Sequence, residues 1–466
     1  MDPFSTRVSD VLASSDFLQR HPGNSMLGSD LYSSASNSSS ELILKQRYTG
    51  QYVSNANNLN FGSQSTFFLT PGSVMNGIVL SGAVTLPKFT RAPDLWALHA
   101  IDSIELVISG SSSVQSLKIS GKSMVDYLLC ATHSSKVEQL KECNSFVDLF
   151  KILDPTQTIK FSIPLHIFFS SPEIMAVFPL DTSTLQSQIF INIRWKQVYN
   201  IFQGDSVNSV VLPSSFDDLY MRVGAQNQIS NDFALSNQLK QDASLVYSIP
   251  GTYLQTYSQV QNVAAVGYGA SENQIPLTSQ PSGQLQMVLL SAQAIAWEGQ
   301  LDTKGLIQPY AQFETLRVLY NGIELYRADS KEEIRLFNCL NTDKDSGVYC
   351  KLRANRNFDP SVTIGENNMS SVIIIPFVNE TSKVLRERRH EHTKNYSGST
   401  IQVFYTLSDY INTYSNALPV TGDQYENIAA PATPLLVQPT GNYRFNFTFV
   451  NSSLYEISSQ SVSMTM

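Results

Sequence analysis

Residues 101–110 read Ile-Asp-Ser-Ile-Glu-Leu-Val-Ile-Ser-Gly, and residues 313–322 read Phe-Glu-Thr-Leu-Arg-Val-Leu-Tyr-Asn-Gly, a similar pattern 212 positions later. In both segments apolar residues recur at alternate positions, and a glycine ends the run. Alternation with a period of two is typical of a β-strand with one buried face. The chain therefore contains a matched pair of strands.

Two further pairs of segments keep the offset of 212. FSIP at 161–164 matches IIIP at 373–376, and SQIFINIRW at 187–195 matches STIQVFYTL at 399–407. Few positions are identical, so the order of the segments and their constant spacing carry the argument. The offset fails upstream, near Phe67, and again after Trp195. The sequence thus predicts two large, diverged tandem units.

Each unit contains about eight short strand patterns and a helical segment between the middle strands. Residues 121–129 and 137–150 are predicted helical in the first unit, and residues 331–340 in the second, where Asp329 or Ser330 is a candidate N-cap. Antiparallel sandwiches bury alternate residues of every strand between two sheets. We therefore predict an all-β fold of two tandem eight-stranded antiparallel jelly-roll sandwiches with short helical inserts.

Prolines and low-complexity sequence refine this organisation. Pro164 and Pro376 lie within strand patterns, and because proline cannot donate to a β-ladder, both strands should lie at a sheet edge or contain a bulge. Residues 1–45 are poor in apolar groups and cannot bury enough surface to fold alone. We predict an N-terminal arm that is disordered or ordered by a partner (1–45), a first jelly roll (46–228) and a second jelly roll (229–466).

Composition limits the possible functions. The chain has 466 residues, 42% hydrophobic and only 15% charged, with a net charge of -8. A surface rich in neutral polar groups suits large permanent contacts, and the acidic balance argues against nucleic-acid binding by the whole surface. The basic run at 383–394 (KVLRERRHEHTK) is interpreted as a solvated loop, with contact to a charged partner as the alternative.

Targeting and cysteine patterns point away from secretion. The first 21 residues contain no apolar h-region, and no apolar run approaches 18 residues, so neither a signal peptide nor a transmembrane helix is expected. The cysteines fall into two pairs, Cys130 with Cys143 and Cys339 with Cys350. Free thiols are the favoured interpretation, a bridge within each pair is the alternative, and the CxxC spacing of structural zinc sites is missing. Without secretion the six Asn-x-Ser/Thr sequons should stay unmodified.

Enzymatic sites receive little support from the sequence. His390-Glu391-His392 matches the H-x-H pattern of metal-binding cupin barrels, but it lies in the basic run without further ligands. The adjacent acids Asp217-Asp218 and Glu332-Glu333 are read as solvated surface, because neighbours on a strand point to opposite faces. Gly267–Ala270 lacks the lysine of a phosphate loop, and no nucleophile elbow is present. We predict no enzyme and no catalytic, cofactor-binding or metal-binding residues.

The ordered segments resemble a known protein family. The resemblance rests on six segments. In the first unit these are residues 101–110, 163–169 (IPLHIFF), 178–180 (FPL) and 188–195, and in the second unit they are residues 316–327 (LRVLYNGIELYR) and the strand that contains Pro376. Over roughly residues 60–466 they resemble the double jelly-roll major capsid proteins of tailless icosahedral double-stranded DNA viruses, a lineage that includes nucleocytoplasmic large DNA viruses, virophages and Polinton-like viruses. His166 and Ile167 replace part of the family's aromatic set.

The resemblance implies a structural role in the virion. It implies trimeric, pseudo-hexagonal capsomers that tile an icosahedral shell, assembled in the host cytoplasm or nucleus. The implied partners are two further copies of the chain, neighbouring capsomers, penton and minor capsid proteins, and an internal membrane reached through the N-terminal arm, without direct sequence-specific nucleic-acid binding. The alternatives are a secreted or surface carbohydrate-binding or adhesive β-sandwich protein and a cupin-like metalloenzyme.

Overall fold

The structure is a computed structural model. It describes residues 52–69, 74–88, 90–92, 95–109, 114–143, 156–165, 170–171, 176–177, 180–181, 188–204, 210–226, 247–277, 284–295, 310–342, 346–347, 351–356, 362–367, 372–379, 381, 400–409, 413–417, 440–457 and 462–465. The predictions for the N-terminal arm, the basic run with His390 and His392, Cys350, and residues 166–169 and 178–179 lie outside the described residues.

The described part of the first unit contains strands β1–β13 and three short helices. The strands are β1 (Tyr52–Asn55), β2 (Gln64–Leu69), β3 (Val74–Pro87), β4 (Thr90–Arg91), β5 (Ile101–Ser109), β6 (Val114–Ser120), β7 (Thr156–Pro164), β8 (Ser170–Ser171), β9 (Ala176–Val177), β10 (Leu180–Asp181), β11 (Gln188–Trp195), β12 (Gln203–Gly204) and β13 (Asp218–Gln226). The helices are α1 (Trp96–His99), α2 (Gly121–Ala131) and α3 (Ser134–Cys143), and a 3-10 turn spans Val198–Asn200.

The second unit repeats the arrangement with one helix in the same place. Its strands are β14 (Tyr247–Val263), β15 (Asn273–Pro276), β16 (Gln284–Ala294), β17 (Phe313–Tyr320), β18 (Ile323–Ala328), β19 (Lys351–Arg356), β20 (Val362–Asn367), β21 (Val372–Pro376), β22 (Ile401–Leu407), β23 (Thr413–Ala417), β24 (Gly441–Ile457) and β25 (Val462–Thr465). Helix α4 (Lys331–Asn341) follows β18, as α2 follows β6.

The two units share one strand order. In the first unit the sheets run β1-β13-β3-β7, with β10 beside β3, and β2-β11-β5-β6. In the second unit they run β14-β24-β16-β21, with β25 beside β24, and β15-β22-β17-β18. All these pairings are antiparallel, and strands adjacent in space are distant in sequence, as in a jelly roll. The predicted fold of two eight-stranded jelly rolls with helical inserts is confirmed.

The offset of 212 corresponds to structural equivalence down to single residue pairs. Ile191 pairs with Leu106 in the first unit, and Val403 pairs with Val318 in the second. A register shift also recurs at the same place. Trp195 pairs with Ile101 after Asp102 is skipped, and Leu407 pairs with Phe313 after Glu314 is skipped. The strand β3 and its counterpart β16 are related by a different offset, because Val79 pairs with Pro164 and Met287 with Pro376.

Each sandwich encloses its own aromatic core. Four alternate side chains of β24 are fully buried on one face of the strand: Tyr443, Phe445, Phe447 and Phe449. In the first unit Trp96 packs against Phe161, and the indole Nε1 of Trp195 donates to Ser65 Oγ at 2.8 Å. Among the described strands β7 and β21 each pair on one side only, which confirms the edge position predicted from their prolines.

Serine caps begin the equivalent helices α2 and α4. The Ser123 backbone N–H donates to Ser120 Oγ at 3.1 Å, and the Glu333 N–H donates to Ser330 Oγ at 3.2 Å. Of the two candidate caps for α4, Ser330 therefore takes the role. Helix α3 begins at Ser134, three residues before the predicted start, and residues 144–150 of that prediction lie outside the described residues.

Candidate functional site at the junction of the two units

The two units contact each other through an internal surface. Helix α2 of the first unit packs on the outer face of the second unit's sheet β14-β24-β16-β21, and β6 lies against β14. We call this contact the junction. The sheet residues buried in the first unit's core cluster define the second-unit outer face: Leu254, Met287, Leu289, Val372, Ile374 and Val450.

The second unit's sheet is consequently buried on both faces. Val288 and Leu290 point into the second core, whereas Met287 and Leu289 point into the junction. In β21 Val372 and Ile374 likewise face the junction. The alternate residues Ile373 and Ile375 face the second core. A strand covered on both sides needs an uninterrupted apolar run, which explains why β21 reads VIIIP while its counterpart β7 alternates.

A buried carboxylate from α2 holds the junction together. Asp126 is 1% exposed. Its Oδ2 accepts a hydrogen bond from Ser291 Oγ at 2.6 Å, and its Oδ1 accepts from Tyr310 OH at 2.7 Å and from Lys122 Nζ at 3.0 Å. The Lys122 ammonium also lies 3.0 Å from the centre of the Tyr310 ring. Because hydrogen bonds to an ionised group are stronger and shorter than neutral ones, this cluster links the units at a defined position.

Two residues that follow α4 join the second unit to the end of α2. Ser346 Oγ donates to the Cys130 carbonyl at 3.1 Å, and the Gly347 N–H donates to the Thr132 carbonyl at 2.6 Å. A Cβ atom on Gly347 would lie 2.6 Å from Val137 Cγ2, which is closer than packed carbon atoms approach. Glycine is therefore required for the close approach at this point.

Helix α4 is attached to the same sheet from within the second unit. Asn338 Nδ2 donates to the Val372 carbonyl at 2.8 Å, and the Ile374 N–H donates to Asn338 Oδ1 at 3.0 Å. The side chain thus satisfies backbone groups on the edge of β21 that would otherwise be buried without a partner. The junction strand β21 is fixed from both directions, by β16 and by α4.

The corresponding face of the first unit has different chemistry. We call it the first-unit outer face; it comprises Val79, Ser81, Ala83, Thr85, Thr158, Lys160, Ser162, Tyr220 and Arg222. Ser81 Oγ and Ser162 Oγ are 2.9 Å apart, and Thr85 Oγ1 donates to Asp217 Oδ2 at 2.7 Å. Lys160 and Arg222 are exposed. This face therefore presents polar and basic groups where the second unit presents apolar ones.

Those enzymatic candidates that the structure describes are not brought together. Asp217 and Asp218 are exposed on the first unit, and Glu332 and Glu333 are exposed on α4. Gly267–Ala270 forms a turn between β14 and β15. Among the described residues, no three His, Cys, Asp or Glu side chains form a group that could hold a metal ion.

Three ionisable groups packed in or beside the cores favour their neutral forms. Burial, together with the nearby charges of Lys196 and Lys122, lowers the pKa of His99 to about 3. Burial raises the pKa of the Cys130 thiol well above its usual range, and the charge of Asp126 acts in the same direction. Burial also raises the pKa of Tyr405 in the second core. These groups have the environment of packing residues, and a reactive thiolate at Cys130 is disfavoured.

The described cysteines are free thiols, and the described sequon asparagines differ in burial. Cys130, Cys143 and Cys339 are free thiols, as predicted, and the last two are exposed. Of the sequons that the structure describes, Asn446 and Asn451 are buried and Asn379 is exposed. A glycan could not be attached to the two buried asparagines in the folded chain. Within the ranges given above, none of the helices has the length and apolar character needed to cross a membrane.

The junction is the site that the sequence analysis missed. Two signals for it are present in the sequence. One is Asp126, a lone acid inside the otherwise apolar stretch from 124 to 131, and the other is the uninterrupted apolar runs at 287–290 and 372–375. Both indicate surfaces covered by another part of the protein. The partners Ser291 and Tyr310 carry no local signal, because they are 165 and 184 residues away from Asp126.

Comparison with solved structures identifies the fold. No protein-family model matches the chain, and no curated protein sequence matches it significantly. VP54 of PBCV-1, fitted into a cryo-EM reconstruction of the virophage Sputnik, matches with a TM-score of 0.58 and 12% identity over 89% of this chain and 96% of VP54. The cryo-EM structure of the Sputnik virophage matches with a TM-score of 0.55 and 12% identity over 90% of this chain and 89% of the matched one.

The chain has the double jelly-roll fold of viral capsid proteins. A quasi-atomic model of the PBCV-1 virus capsid gives a similar match, with a TM-score of 0.56 and 12% identity over 89% of this chain and 96% of the other. Because these matches cover both units, the double jelly-roll fold predicted from the ordered segments at 101–195 and 313–407 is confirmed for the arrangement as a whole. At 12% identity the likeness concerns the fold.

Proposed function

We propose that this protein is a structural major capsid protein that forms trimeric, pseudo-hexagonal capsomers, and that these tile the icosahedral shell of a double-stranded DNA virus. The observation that supports the proposal best is the junction. It holds two similar jelly rolls side by side through a buried carboxylate and a two-sided apolar sheet. Three such chains would place six similar barrels around one axis.

The role in the shell is mechanical. Two barrels fixed to each other act as one block, so the outline of a capsomer is set by how chains meet and not by motion within a chain. We propose a first jelly roll over residues 46–228 and a second over 229–466; the described strands of the units span 52–226 and 247–465. The arm at 1–45 is proposed to contact minor capsid proteins or an internal membrane.

The proposal includes a virion location and no catalytic activity. The similar structures are viral capsid components, which are structural proteins. Assembly in the host cytoplasm or nucleus, contacts with neighbouring capsomers and penton proteins, and the absence of sequence-specific nucleic-acid binding belong to the same proposal. The carbohydrate-binding alternative would use exposed aromatic side chains, whereas the aromatic residues of the long strands mainly fill the two cores.

The decisive experiment is the mass and outline of the purified chain. Native mass spectrometry of the full-length protein should report a trimer, and negative-stain images of the same sample should show particles with a nearly hexagonal outline. A glycan array on that sample tests the alternative. A stable monomer at high micromolar concentration that binds glycans would refute the capsid proposal.

A further inference from the structure

Helix α4 carries apolar side chains that stay exposed among the residues the structure describes. Leu336 is 54% exposed and Leu340 is 71% exposed, and the neighbouring edge strand β18 adds Ile323 at 71% and Leu325 at 42%. Together with the exposed Glu332, Glu333 and Cys339, we call these residues the α4 surface. An exposed apolar group of this kind commonly marks a site of protein contact.

The internal repeat indicates what covers this surface. Helices α2 and α4 have the same length, the same serine cap and the same place after the fourth strand of a sheet. Aligned from their caps, Asp126 corresponds to Leu336, and Cys130 corresponds to Leu340. In α2 both positions are buried at the junction, whereas in α4 both are exposed. The face that α2 places against a jelly-roll sheet is the face that α4 leaves open.

We propose that the α4 surface docks on the first-unit outer face of another copy of this chain, and so repeats the junction between chains. This inference rests on the proposed function. Within the chain, α2 and β6 contact the sheet containing β14, β16 and β24. Between chains, α4 and β18 contact the corresponding strands β1, β3 and β13. Because the contact joins unlike surfaces, it continues from copy to copy, and the trimer of the proposed function requires that the rotation between copies closes it into a ring.

The matched residues have compatible chemistry. Met287 and Val79 pair with the equivalent prolines of their sheets, so Ser291 of the junction corresponds to Ala83 on the first-unit outer face. The buried pair of Asp126 and Ser291 is thereby replaced between chains by Leu336 and Ala83, which are both apolar. At this position polar contact changes to apolar contact on both sides at once, which leaves neither of these two side chains with an unsatisfied polar group.

Charge supports the same orientation. The first turn of α4 carries the exposed acids Glu332 and Glu333, and the first-unit outer face carries the exposed bases Lys160 and Arg222. Opposite charges on the two surfaces favour the docking of one on the other and disfavour α4 pairing with a second α4. The mainly polar character of the first-unit outer face also keeps the chain soluble before it meets another copy.

The first test removes the apolar contact. In the full-length chain, Leu336→Asp combined with Leu340→Asp is expected to abolish the trimer at micromolar concentration in native mass spectrometry, with an unchanged circular dichroism spectrum. The matched control is Val211→Asp combined with Tyr268→Asp, two residues that are 84% and 94% exposed elsewhere. The control is expected to remain a trimer, and its dissociation would overturn the assignment of the surface.

The second test locates the contact without disrupting it. In a background with Cys143→Ser and Cys339→Ser, one chain carries Ala83→Cys and another carries Leu336→Cys. Mixed, refolded together and oxidised, they are expected to form disulfide-linked dimers on a non-reducing gel, while either variant alone remains unlinked. The inference would be refuted if the wild type is a trimer, the cysteine variants do not cross-link and the Leu336→Asp/Leu340→Asp variant stays trimeric. The proposed function would then still stand. A monomeric wild type would refute both.

Discussion

The outer faces of the two equivalent sheets have opposite character. In the second unit Val372 and Ile374 are fully buried at the junction, whereas the first unit has Lys160 and Ser162 at the positions 212 residues earlier. Both faces belong to sheets with the same strand order and the same kind of aromatic core. The jelly-roll fold therefore accepts either polar or apolar residues on the outer face of this sheet. Which kind is present depends on whether another part of the protein covers that face.

The largest effect should come from exchanging the residues of the two faces. Val372→Lys buries an amine among the apolar residues of the junction and should destabilise the chain by more than about 4 kcal/mol. Lys160→Val makes the reverse change on the open face and should alter stability by less than about 0.5 kcal/mol. Urea denaturation of both variants measures the difference. Equal effects would mean that the two faces are not distinguished by burial.

A somewhat smaller effect is expected from removing the junction carboxylate. Asp126→Ala leaves Lys122, Ser291 and Tyr310 without their common acceptor, and should cost about 3 kcal/mol. The exposed acid Asp218, on the first unit, provides the control, because Asp218→Ala removes no buried interaction. Thermal unfolding compares the two variants. If Asp126→Ala melted like the control, the cluster would contribute little to the contact of the units.

Acid should act on the first unit through a residue that the second unit lacks. His99 corresponds to the buried Ala311. Because the pKa of His99 is lowered to about 3 from 6.5, the unfolded chain binds its proton first as the pH falls. The contribution of the neutral His99 to the free energy of unfolding is therefore complete above about pH 6.5. It is lost as the pH falls towards 3, at a slope of about 1.4 kcal/mol per pH unit.

The histidine prediction is checked by pH-dependent urea denaturation. Replacing His99→Gln should remove this component of the slope between pH 6 and pH 5, within the window that the shift defines. An unchanged slope in the variant would show that other groups cause the acid sensitivity. Spectroscopic probes placed separately in the two units should also report that the first unit loosens at higher pH than the second.

The smallest effects are expected from the two equivalent helix caps. Ser330→Ala removes an exposed cap whose N–H partner can bind water instead, and should cost about 0.5–1 kcal/mol. Ser120→Ala leaves the N–H of the buried Ser123 unsatisfied beside the junction, and should cost about 1–2 kcal/mol. Chemical denaturation of both variants gives the comparison. The reverse order would indicate that α2 begins in a more hydrated environment than its burial implies.

Much of the fold could be predicted from the sequence because the relevant signals are local. Alternation located β5, β11, β17 and β22, and the constant offset located their equivalents to the residue. The prolines predicted the edge strands for a reason intrinsic to one residue. The extra sheet β19-β20-β23 was not predicted, because short strands in long insertions have no repeat to support them.

The candidate site was harder to predict for a physical reason. An apolar stretch such as VIIIP shows that both sides of a strand are covered, but it does not state what covers them. Helix α4 illustrates the converse. Its exposed Leu336 and Leu340 look like core residues in the sequence, and only their position in the folded chain shows that they are left open.

The sequence alone determined that there are two units, which strands compose them and which residues face each core, because strand periodicity is set by the geometry of the backbone within a few residues. Only the tertiary structure shows that α2 is buried whereas Leu336 and Leu340 of α4 are exposed. It alone also shows that Asp126 accepts hydrogen bonds from Ser291 and Tyr310. Those contacts join segments more than 160 residues apart. They depend on how one folded unit is placed against the other, which no local pattern encodes.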